Sequence, residues 1–510
     1  MRKIVLAGAA ALGLPLLAAS TPTAAGPAAA SLGEVIPRPA EVRPAAGAEF
    51  RLDPRTVIHT PPATRAIGDL LADDLRRATG YALPVRPDPP PRYAPHISLA
   101  LGNGHGDEGY RLTVDPRRVD IRASEPAGLF AGTQTLLQAR AGRTIPGGVI
   151  EDRPRFAYRG AMLDLARHFH PPDEIKRYID EISRFKINHL HLHLSDDQGW
   201  RIQIISRPRL TTVSGGAGTG VDGAGPGFLT QSEYRDLVRY AATRFVTIVP
   251  EIDMPGHVNA AQVAYPELTC DGVAPPPRTD TEVGYSSLCI KSAATYRFVD
   301  DVIRELAAVT PGPFLHIGGD EARATSDEDY LTFQARVLPL VAKYGKTAYG
   351  WNEIARSPAA ADAVAQYWGR STSNADVAAR VADGMKVVMS PANKAYLDMK
   401  YDPSTPVGLS WAGYIEVRTA YDWDPGSHLA GVPESAVLGV EAPLWSETLR
   451  NVEDIEVMAF PRLAAIAELG WSPAATQDWE SFRARLAAYG PEWTARGVDF
   501  YPSGQVDWPS

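Results

Sequence analysis

The stretch Phe314-Leu315-His316-Ile317-Gly318-Gly319-Asp320-Glu321 is a short apolar run followed by two glycines and two adjacent carboxylates. An apolar run of this length predicts a buried strand. Successive side chains of a strand point to opposite faces, so Asp320 and Glu321 can serve one site only if the chain leaves the strand before them. The two glycines permit such a turn, because glycine adopts backbone angles that other residues avoid. On its own, the pair also fits two acids at the start of a helix, where the helix dipole favours them.

Strand patterns recur along the chain on both sides of this stretch, and helical patterns separate them. The predicted strands are residues 161–165, 189–194, 246–252, 314–317, 347–349, 364–367, 386–389 and 437–440. Strands that alternate with helices predict an α/β fold, and this number of them predicts a (β/α)8 TIM barrel with its active site at the carboxyl ends of the strands. A doubly wound open sheet is the alternative. It is disfavoured because no glycine-rich phosphate-binding turn follows the first strand.

Helical patterns fill the segments between these strands. Apolar residues recur at helical spacing from Ile175 to Phe185, and Thr230 with Glu233 forms a capping-box pattern ahead of another helix. The glycine-rich segment 214–227 is too irregular for a phosphate-binding loop and is predicted to be a flexible insertion. Further helices are predicted at residues 296–308, 330–343, 375–382 and 455–469.

The part of the chain before the barrel has a different pattern, which predicts a smaller α+β domain. Helical spacing at 66–75 and 128–139 accompanies extended segments at 96–101 and 110–123. No cluster of its residues has the composition of a catalytic site, so we expect a structural role. The predicted organisation is a signal peptide and alanine-rich leader over residues 1–30, the α+β domain over residues 31–150 and the catalytic barrel over residues 151–510.

Composition and charge restrict the class of protein. The chain has 510 residues, of which 45% are hydrophobic and 22% charged, the balance of a water-soluble globular protein. Its net charge is -9, and it contains no run of lysine and arginine that would follow a phosphate backbone. Nucleic acid is therefore not expected as a partner. Nothing in the sequence calls for an obligate protein partner.

The first residues indicate export. Met1-Arg2-Lys3 precedes an apolar run from Ile4 to Ala19, and small residues follow it. This order predicts a secretory signal peptide, cleaved somewhere within roughly residues 19 to 30. A membrane anchor is the alternative, but the run is marginal in length and contains glycine and proline. With no other long apolar segment, we expect a secreted protein without membrane association.

The chain contains two cysteines, Cys270 and Cys289. In an exported chain, an even pair this close in sequence suggests a disulfide that closes a loop. Two free thiols are the alternative, and so few soft ligands give a metal site little support. His189, His191 and His193 alternate along one predicted strand, and their placement fits strand packing better than zinc binding.

Polar and aromatic residues follow nearly every predicted barrel strand, always at the same end. Each has an ordinary explanation on its own, such as core packing for a tryptophan or a solvated loop for an acid. In a barrel, however, they converge on one mouth, and aromatic faces alternating with carboxylates suit a sugar. The residues at these ends include Arg167, His168, His170, Asp196, Asp197, Trp200, Glu251, Asp253, His257, Asp320, Glu321, Trp351, Glu353, Trp368, Tyr396, Asp398, Trp445 and Glu447.

Four ordered motifs carry a family resemblance. They are residues 159–169 (RGAMLDLARHF), 191–201 (HLHLSDDQGWR), 250–257 (PEIDMPGH) and 316–321 (HIGGDE). Together they resemble glycoside hydrolase family twenty, the bacterial secreted β-N-acetylhexosaminidases, and the N-terminal module resembles the non-catalytic α+β domain of that family. The resemblance implies an exo-acting retaining enzyme that releases terminal N-acetylglucosamine or N-acetylgalactosamine. Chitin fragments and glycan chains both remain open as sources of the substrate.

The resemblance also implies a substrate-assisted mechanism, a known exception to the scheme that uses two enzyme carboxylates. The 2-acetamido oxygen of the sugar attacks the anomeric carbon and forms an oxazolinium intermediate. Glu321 protonates the leaving oxygen and then activates water, while Asp320 holds the acetamido N–H. Tyr396 donates a hydrogen bond to the acetamido oxygen. No metal or organic cofactor is required, because the substrate supplies the nucleophile.

The remaining site residues receive binding roles from the same resemblance. Trp351, Trp368 and Trp445 enclose the acetamido group, and Trp411 contributes beyond the cleaved bond. The residues implied to bind the sugar hydroxyls are Arg167, Asp398 and Glu447. Asp196 and His257 do not contact the sugar in this scheme but hold Asp320 in position.

Two other functions remain open on the sequence. A non-catalytic amino-sugar-binding protein could keep the same pocket, although the presence of both Asp320 and Glu321 argues against it. A glycosidase that uses a carboxylate nucleophile on sugars without the acetamido group is the third possibility, and the aromatic set argues against that one.

Overall fold

The computed structural model describes Met1, residues 32–89 and residues 94–509. The predicted signal peptide and leader lie outside the described residues, apart from Met1. Within the described part of the chain, no helix combines the length and the apolar character needed to cross a bilayer. A mixed sheet with two long helices comes first and a closed barrel follows, which confirms the predicted fold class.

The first domain is built on a seven-stranded sheet. Its strands are β1 (Glu41–Pro44), β2 (Val57–His59), β3 (Val85–Arg86), β4 (His96–Leu101), β5 (Tyr110–Asp115), β6 (Arg118–Ala123) and β7 (Gly148–Asp152). Their spatial order is β1-β7-β5-β6-β4-β2-β3. The extended segment predicted at 110–123 forms a hairpin of β5 and β6, which pair antiparallel. A short ribbon joins Phe50–Arg51 to Thr144–Ile145.

Two helices, Arg65–Thr79 and Pro126–Ala139, cover this sheet and pack against each other. The first buries Ile67, Leu71 and Leu75, which recur three to four residues apart and so lie on one face. It ends at Gly80, which adopts the left-handed conformation that commonly terminates a helix.

Eight parallel strands close the barrel, each paired with its neighbours and the last with the first. The strands are β8 (Tyr158–Asp164), β9 (His189–His193), β10 (Thr247–Glu251), β11 (Phe314–His316), β12 (Thr347–Trp351), β13 (Val364–Tyr367), β14 (Lys386–Met389) and β15 (Val437–Ala442). All of the predicted barrel strands are confirmed. Because the strands are parallel, the segments that follow them all open at one end of the barrel.

The helices of the second domain lie mainly where the sequence predicts them, and the capping box at Thr230 and Glu233 is present. The helix predicted at 455–469 is wrong in one respect, because it is two helices separated at Phe460-Pro461, where proline offers no amide hydrogen. The C-terminal helix was not predicted. The helices are Pro172–Arg184, Arg209–Thr212, Gln231–Ala242, Asn259–Ala264, Ala293–Val309, Asp327–Lys343, Ala375–Ala382, Ala392–Ala395, Val417–Tyr421, Val452–Ala459, Arg462–Trp471 and Trp479–Arg496.

One buried carboxylate joins the two domains. Oδ2 of Asp152, at the end of β7, accepts hydrogen bonds from Tyr110 Oη at 2.7 Å and from Trp471 Nε1 at 3.0 Å. Lys186 Nζ, just after the first barrel helix, lies 3.2 Å from the same oxygen. The Trp471 ring belongs to the apolar core of the first domain although its helix belongs to the barrel. The interface is therefore part of both cores.

We expect Asp152→Ala to lower the free energy of unfolding by about 3–5 kcal/mol, because it leaves the buried Lys186 ammonium and two further donors without their shared acceptor. Denaturant unfolding followed by fluorescence measures this loss. Asp69→Ala is the matched control, since Asp69 pairs with Arg65 on the exposed surface and such a pair contributes about 0–1 kcal/mol. Equal losses in the two variants would contradict the role of Asp152.

Candidate active site

The residues predicted to act together lie at the carboxyl end of the barrel. Arg167 follows β8, Asp196 follows β9, His257 follows β10 and the two acids follow β11. The rings of Trp351, Trp368, Tyr396, Trp411 and Trp445 contact one another at the same mouth. Trp200, also at a strand end, instead packs against Phe298 in the apolar core, and His170 bonds to Glu174 on the following helix.

The chain leaves β11 before the two acids, as the glycines allow. Gly318 and Gly319 have φ values of +64° and +105°, which side chains other than glycine rarely adopt. A Cβ on Gly318 would lie 1.8 Å from Asp253 Oδ1, so this position has no room for another residue. The Gly319 amide donates to the same Asp253 oxygen at 3.0 Å, which fixes the turn.

This turn brings both acids to one imidazole. His257 Nε2 lies 3.7 Å from Asp320 Oδ2 and 3.9 Å from Glu321 Oε2. Glu321 itself has a φ of +44°, a strained value for a residue with a side chain. The sequence expectation that the two carboxylates share one cleft therefore holds in the structure.

Burial and neighbouring charges separate the ionisation of these groups. Burial, followed by the Asp320 carboxylate, raises the pKa of Glu321 above its usual value. A carboxyl group with a raised pKa holds its proton at higher pH, which suits a general acid. Burial would lower the pKa of His257, but Asp196 and Asp320 raise it well above its usual value. His257 is therefore a cation behind the two acids.

Arg323 opposes the effect of burial on Glu321. Its Nη2 donates to Glu321 Oε1 at 2.6 Å. The Arg323 side chain is largely exposed, so it reaches the acid from the solvent side. A cation at this distance favours the ionised form of Glu321 and lowers its pKa.

Asp196 organises the cations behind the site. Its Oδ1 faces His257 Nδ1 at 3.1 Å, and its Oδ2 faces His193 Nε2 at 2.7 Å and Arg167 Nη2 at 2.8 Å. Burial would raise the pKa of Asp196, but Arg167 and His257 bring it well below its usual value. Asp196 is thus a permanently charged link between Arg167 and the imidazole that faces the acids.

Arg167 is held on several sides at the edge of the mouth. It pairs with Asp164 at 3.4 Å, donates to Gln198 Oε1 at 3.2 Å and lies over the Trp445 ring at 5.0 Å. Gln198 in turn donates to the Asp280 carbonyl at 2.8 Å. The guanidinium therefore has a fixed position next to one aromatic wall.

The aromatic residues form a continuous wall. The Trp351 and Trp445 ring centroids are 5.6 Å apart, and Tyr396 lies 6.4 Å from Trp445. Trp411 continues the wall, 5.8 Å from Tyr396 and 6.1 Å from Trp368. Trp351 at the inner end of the wall is 1% exposed, whereas Trp411 at the outer end is 46% exposed. The inner rings can enclose a small group, whereas Trp411 stands at the entrance.

Asp398 and Glu447 supply acceptors beside this wall. Among the described residues, neither oxygen of Asp398 has a hydrogen-bond donor, and Glu447 Oε2 has none either. Burial, followed by the charge of Glu447, raises the pKa of Asp398 well above its usual value. Buried acceptors without donors are costly unless something else pairs with them, and sugar hydroxyls can do so.

The two loops singled out in the sequence border the same mouth. Cys270 and Cys289 form a disulfide, which confirms that prediction. The loop that it closes carries Ser286, which donates to Asp197 Oδ1 at 2.6 Å. In the glycine-rich segment, Val221 N donates to the Arg167 carbonyl at 2.8 Å. Both loops are thus bonded to residues at the ends of barrel strands.

Among the described residues, four groups of buried imidazoles and carboxylates come close enough to surround a cation, one in the barrel interior and three overlapping ones at the mouth. In the interior group, His191 Nε2 and His316 Nδ1 each lie 2.9 Å from an oxygen of Glu251. His191 Nδ1 bonds to Glu441 Oε1 at 2.9 Å, and His316 Nδ1 accepts from the Gly318 amide at 3.1 Å. Both imidazoles therefore have hydrogen-bond partners from the protein within the barrel.

Several residues that contact the site received no role from the sequence. Glu251 accepts from Trp351 Nε1 at 2.9 Å, and Glu353 accepts from Trp368 Nε1 at 3.1 Å. Burial, followed by Asp320, raises the pKa of Glu353 to about 7. Gln198 and Arg323 are the others. Glu251 and Glu353 were recognisable as acids at strand ends, but nothing in the sequence pairs them with particular indoles.

Comparison with known proteins agrees with this geometry. The family model described as glycosyl hydrolase family 20, catalytic domain, matches residues 156–474, and the model for domain 2 of that family matches residues 33–153. A β-N-acetylhexosaminidase from Cellulomonas fimi is 42% identical over 483 residues, which cover 93% of this chain and 97% of that protein.

Solved structures are similar over nearly the whole chain. The β-N-acetylhexosaminidase of Streptomyces coelicolor A3(2) has a TM-score of 0.90 and 50% identity, covering 94% of this chain and 99% of that one. The N-acetyl-β-hexosaminidase of Streptomyces plicatus, solved with thio-NAglucal, has a TM-score of 0.90 and 53% identity, covering 94% and 98%. The chain therefore belongs to glycosyl hydrolase family 20 and is a glycoside hydrolase of the β-N-acetylhexosaminidase type.

Proposed function

We propose that this enzyme is an exo-acting, retaining β-N-acetylhexosaminidase that works by substrate-assisted catalysis. It removes terminal N-acetylglucosamine or N-acetylgalactosamine, and the acetamido oxygen of the substrate is the nucleophile. The observation that carries the proposal is Asp320, a buried carboxylate with 9% exposure whose Oδ1 has no hydrogen-bond donor among the described residues. A buried acceptor in this position suits an amide N–H.

The neighbouring groups fit the other parts of an acetamide. The rings of Trp351, Trp445 and Tyr396 can pack around its methyl group, and the Tyr396 hydroxyl can donate to its oxygen. Holding the acetamide close to the anomeric carbon makes its attack an intramolecular reaction, which is much faster than the bimolecular one. The Asp320 carboxylate would offset the positive charge that develops on the nitrogen.

Glu321 is the proton donor and acceptor in this scheme. Its raised pKa extends to higher pH the range in which it can give a proton to the leaving group, and its ionised form can then take a proton from water. Arg167, Asp398 and Glu447 have the placement for sugar hydroxyls at the closed side of the pocket. Trp411, half exposed at the entrance, suits the part of the substrate beyond the cleaved bond.

The N-terminal pattern and the disulfide support secretion. A signal peptide would direct the chain to an oxidising compartment, where the Cys270–Cys289 bond is stable. We propose that the mature enzyme is extracellular, and N-terminal sequencing of protein recovered from culture medium tests this directly.

The central experiment compares nitrophenyl β-glycosides of N-acetylglucosamine, N-acetylgalactosamine and glucose. We expect turnover of one or both amino sugars and little of the glucoside, because only the amino sugars carry the nucleophile. A thiazoline mimic of the oxazolinium should inhibit competitively.

Asp320→Asn is the matched variant, since it keeps the size of the side chain and removes its charge. We expect its kcat to fall by about 10²–10³-fold and its affinity for the thiazoline to weaken. Equal turnover of the glucoside, or no inhibition by the thiazoline, would indicate a carboxylate nucleophile. Absence of all turnover would favour the binding-protein alternative.

Glu321→Gln should lose about 10²–10⁴-fold in rate on substrates with poor leaving groups, because proton donation contributes a factor of this size. Substrates with very acidic leaving groups need no proton, so their first step should be largely preserved. Steady-state rates across a series of aryl glycosides measure the difference. Equal losses across the series would remove Glu321 from the role of acid.

Replacing Arg323 by Gln should move the alkaline limb of kcat/KM to higher pH. Glu321 must be protonated to act as acid, so activity falls as pH rises through its pKa. Loss of the cation 2.6 Å away raises that pKa further, while Asp320, His257 and Arg167 continue to act on it. Arg323→Lys keeps the charge and should leave the limb near its wild-type position. A limb that moves to lower pH in the Gln variant would refute the assignment.

A further inference from the structure

A line of buried imidazoles and carboxylates runs from the barrel interior to the two acids. Glu251 Oε2 lies 2.5 Å from His193 Nδ1, and His193 Nε2 lies 2.7 Å from Asp196 Oδ2. Asp196 Oδ1 is 3.1 Å from His257 Nδ1, and the other nitrogen of His257 faces Asp320 and Glu321. The line therefore alternates acid and base over its whole length.

The barrel register explains why Glu251 lies at the start of this line. Glu251 is the last residue of β10, and its partners in the neighbouring strands are His193 on β9 and His316 on β11. Adjacent residues in register place their side chains on the same face of the sheet. Both imidazoles consequently flank one carboxylate, and all three side chains are fully buried.

The second oxygen of Glu251 reaches the aromatic wall. Oε1 accepts from Trp351 Nε1 at 2.9 Å, and His316 Nδ1 lies 2.9 Å from the same oxygen. Trp351 is the most buried ring of the wall and contacts Trp445. One side chain thus contacts both the pocket that would hold the acetamide and the line that ends at the catalytic acids.

The charges along this line depend on Glu251. Burial would lower the pKa of His193, but Glu251 and Asp196 raise it to about 10. His193 is then a cation between two anions, and Asp196 remains ionised between His193, Arg167 and His257. Without the charge of Glu251, His193 would keep one carboxylate partner and the full penalty of burial.

We propose that Glu251 is a positioning residue for hydrolysis, which orients the Trp351 indole through one oxygen and the His193–Asp196–His257 line through the other. This inference rests on the proposed function, because it assumes that the indole encloses the acetamide and that Asp320 holds the amide N–H. Glu251 makes no contact with the substrate. It acts by fixing the pocket wall and the acid pair in one relative arrangement.

The test is Glu251→Gln, which keeps the shape of the side chain but removes the charge and one acceptor. We expect kcat on an aryl N-acetylglucosaminide to fall by about 100-fold, as for a small misplacement of reacting groups, with a smaller change in KM. The thiazoline should bind correspondingly less tightly. Without the charge of Glu251, His193 should lose its proton at lower pH. The pH profile of kcat/KM should therefore gain a new alkaline inflection, while Asp196 and Arg167 keep their places beside the line.

Glu468→Gln is the matched control. Glu468 is also buried, but it bonds to Arg485, Tyr421 and the Arg38 amide, and neither to the His193–Asp196–His257 line nor to the wall. We expect a comparable loss of stability in denaturant unfolding, with kcat and the pH profile close to wild type. Parallel losses of activity and stability in both variants would overturn the proposal. So would wild-type kcat and pH profile in Glu251→Gln.

If Glu251→Gln does not fold, two single variants separate its contacts. Trp351→Phe removes the indole donor together with part of its ring area, keeps the line and should weaken thiazoline binding. His193→Gln breaks the line and one edge contact with Trp445, keeps the Glu251–Trp351 bond and should lower kcat. Normal kinetics in both would refute the inference. Failure of the proposed function itself would be visible in the wild-type enzyme, as missing amide selectivity or missing thiazoline inhibition.

Discussion

The mouth of this barrel depends on the pairing of charges that have been removed from water. An isolated buried carboxylate or guanidinium is so costly that it survives only beside an opposite charge. Asp196 illustrates the solution, because it is bonded to His193, His257 and Arg167 at once. Each cation in turn contacts a second acid. The geometry of the site is therefore set by a network of ion pairs, in which a shift of one side chain changes the positions of the others.

The same rule makes the exceptions informative. Asp320 Oδ1, both oxygens of Asp398 and Glu447 Oε2 lack donors among the described residues. These are the acids that the family resemblance assigns to the substrate amide and hydroxyls. Other buried acceptors, such as Asp253 Oδ2 and Gln366 Oε1, also lack donors, but these four oxygens belong to the acids that the proposed substrate would contact. Binding of the correct sugar would then recover the desolvation cost that a sugar lacking the amide could not recover.

Most of the fold could be predicted because its signals are local. Each barrel strand is a short apolar run, and the start of the helix after Thr230 is marked by a capping box that spans only Thr230 to Glu233. The failure at 455–469 has an equally local cause in Pro461, which divides an otherwise continuous apolar pattern. The site residues were predictable from their common position after the strands. That rule places a side chain at the mouth without saying what it contacts there.

The contacts that escaped prediction join residues far apart in the chain. Glu251 and Trp351 are 100 residues apart, and His191 and Glu441 are 250 apart. Their pairing follows from barrel register, which a single sequence does not contain. Composition, which predicts a flexible insertion at 214–227, also gave no sign that Gly220 and Val221 bond to residues 198 and 167 at the mouth.

The paired acids show how backbone and charge act together. Gly318 and Gly319 turn the chain at backbone angles that favour glycine, and Asp253 both occupies the space that a side chain at 318 would need and accepts the amide of Gly319. Burial, followed by Asp320, raises the pKa of Asp253 well above its usual value, which favours the neutral form of this carboxyl group beside Asp320. The turn that aims the acids is thus held by a carboxyl group whose ionisation is opposed by burial and by the neighbouring acid. On the proposed mechanism, Asp320 balances the positive charge of the developing oxazolinium. A second anion at the turn would compete with it for the His257 cation.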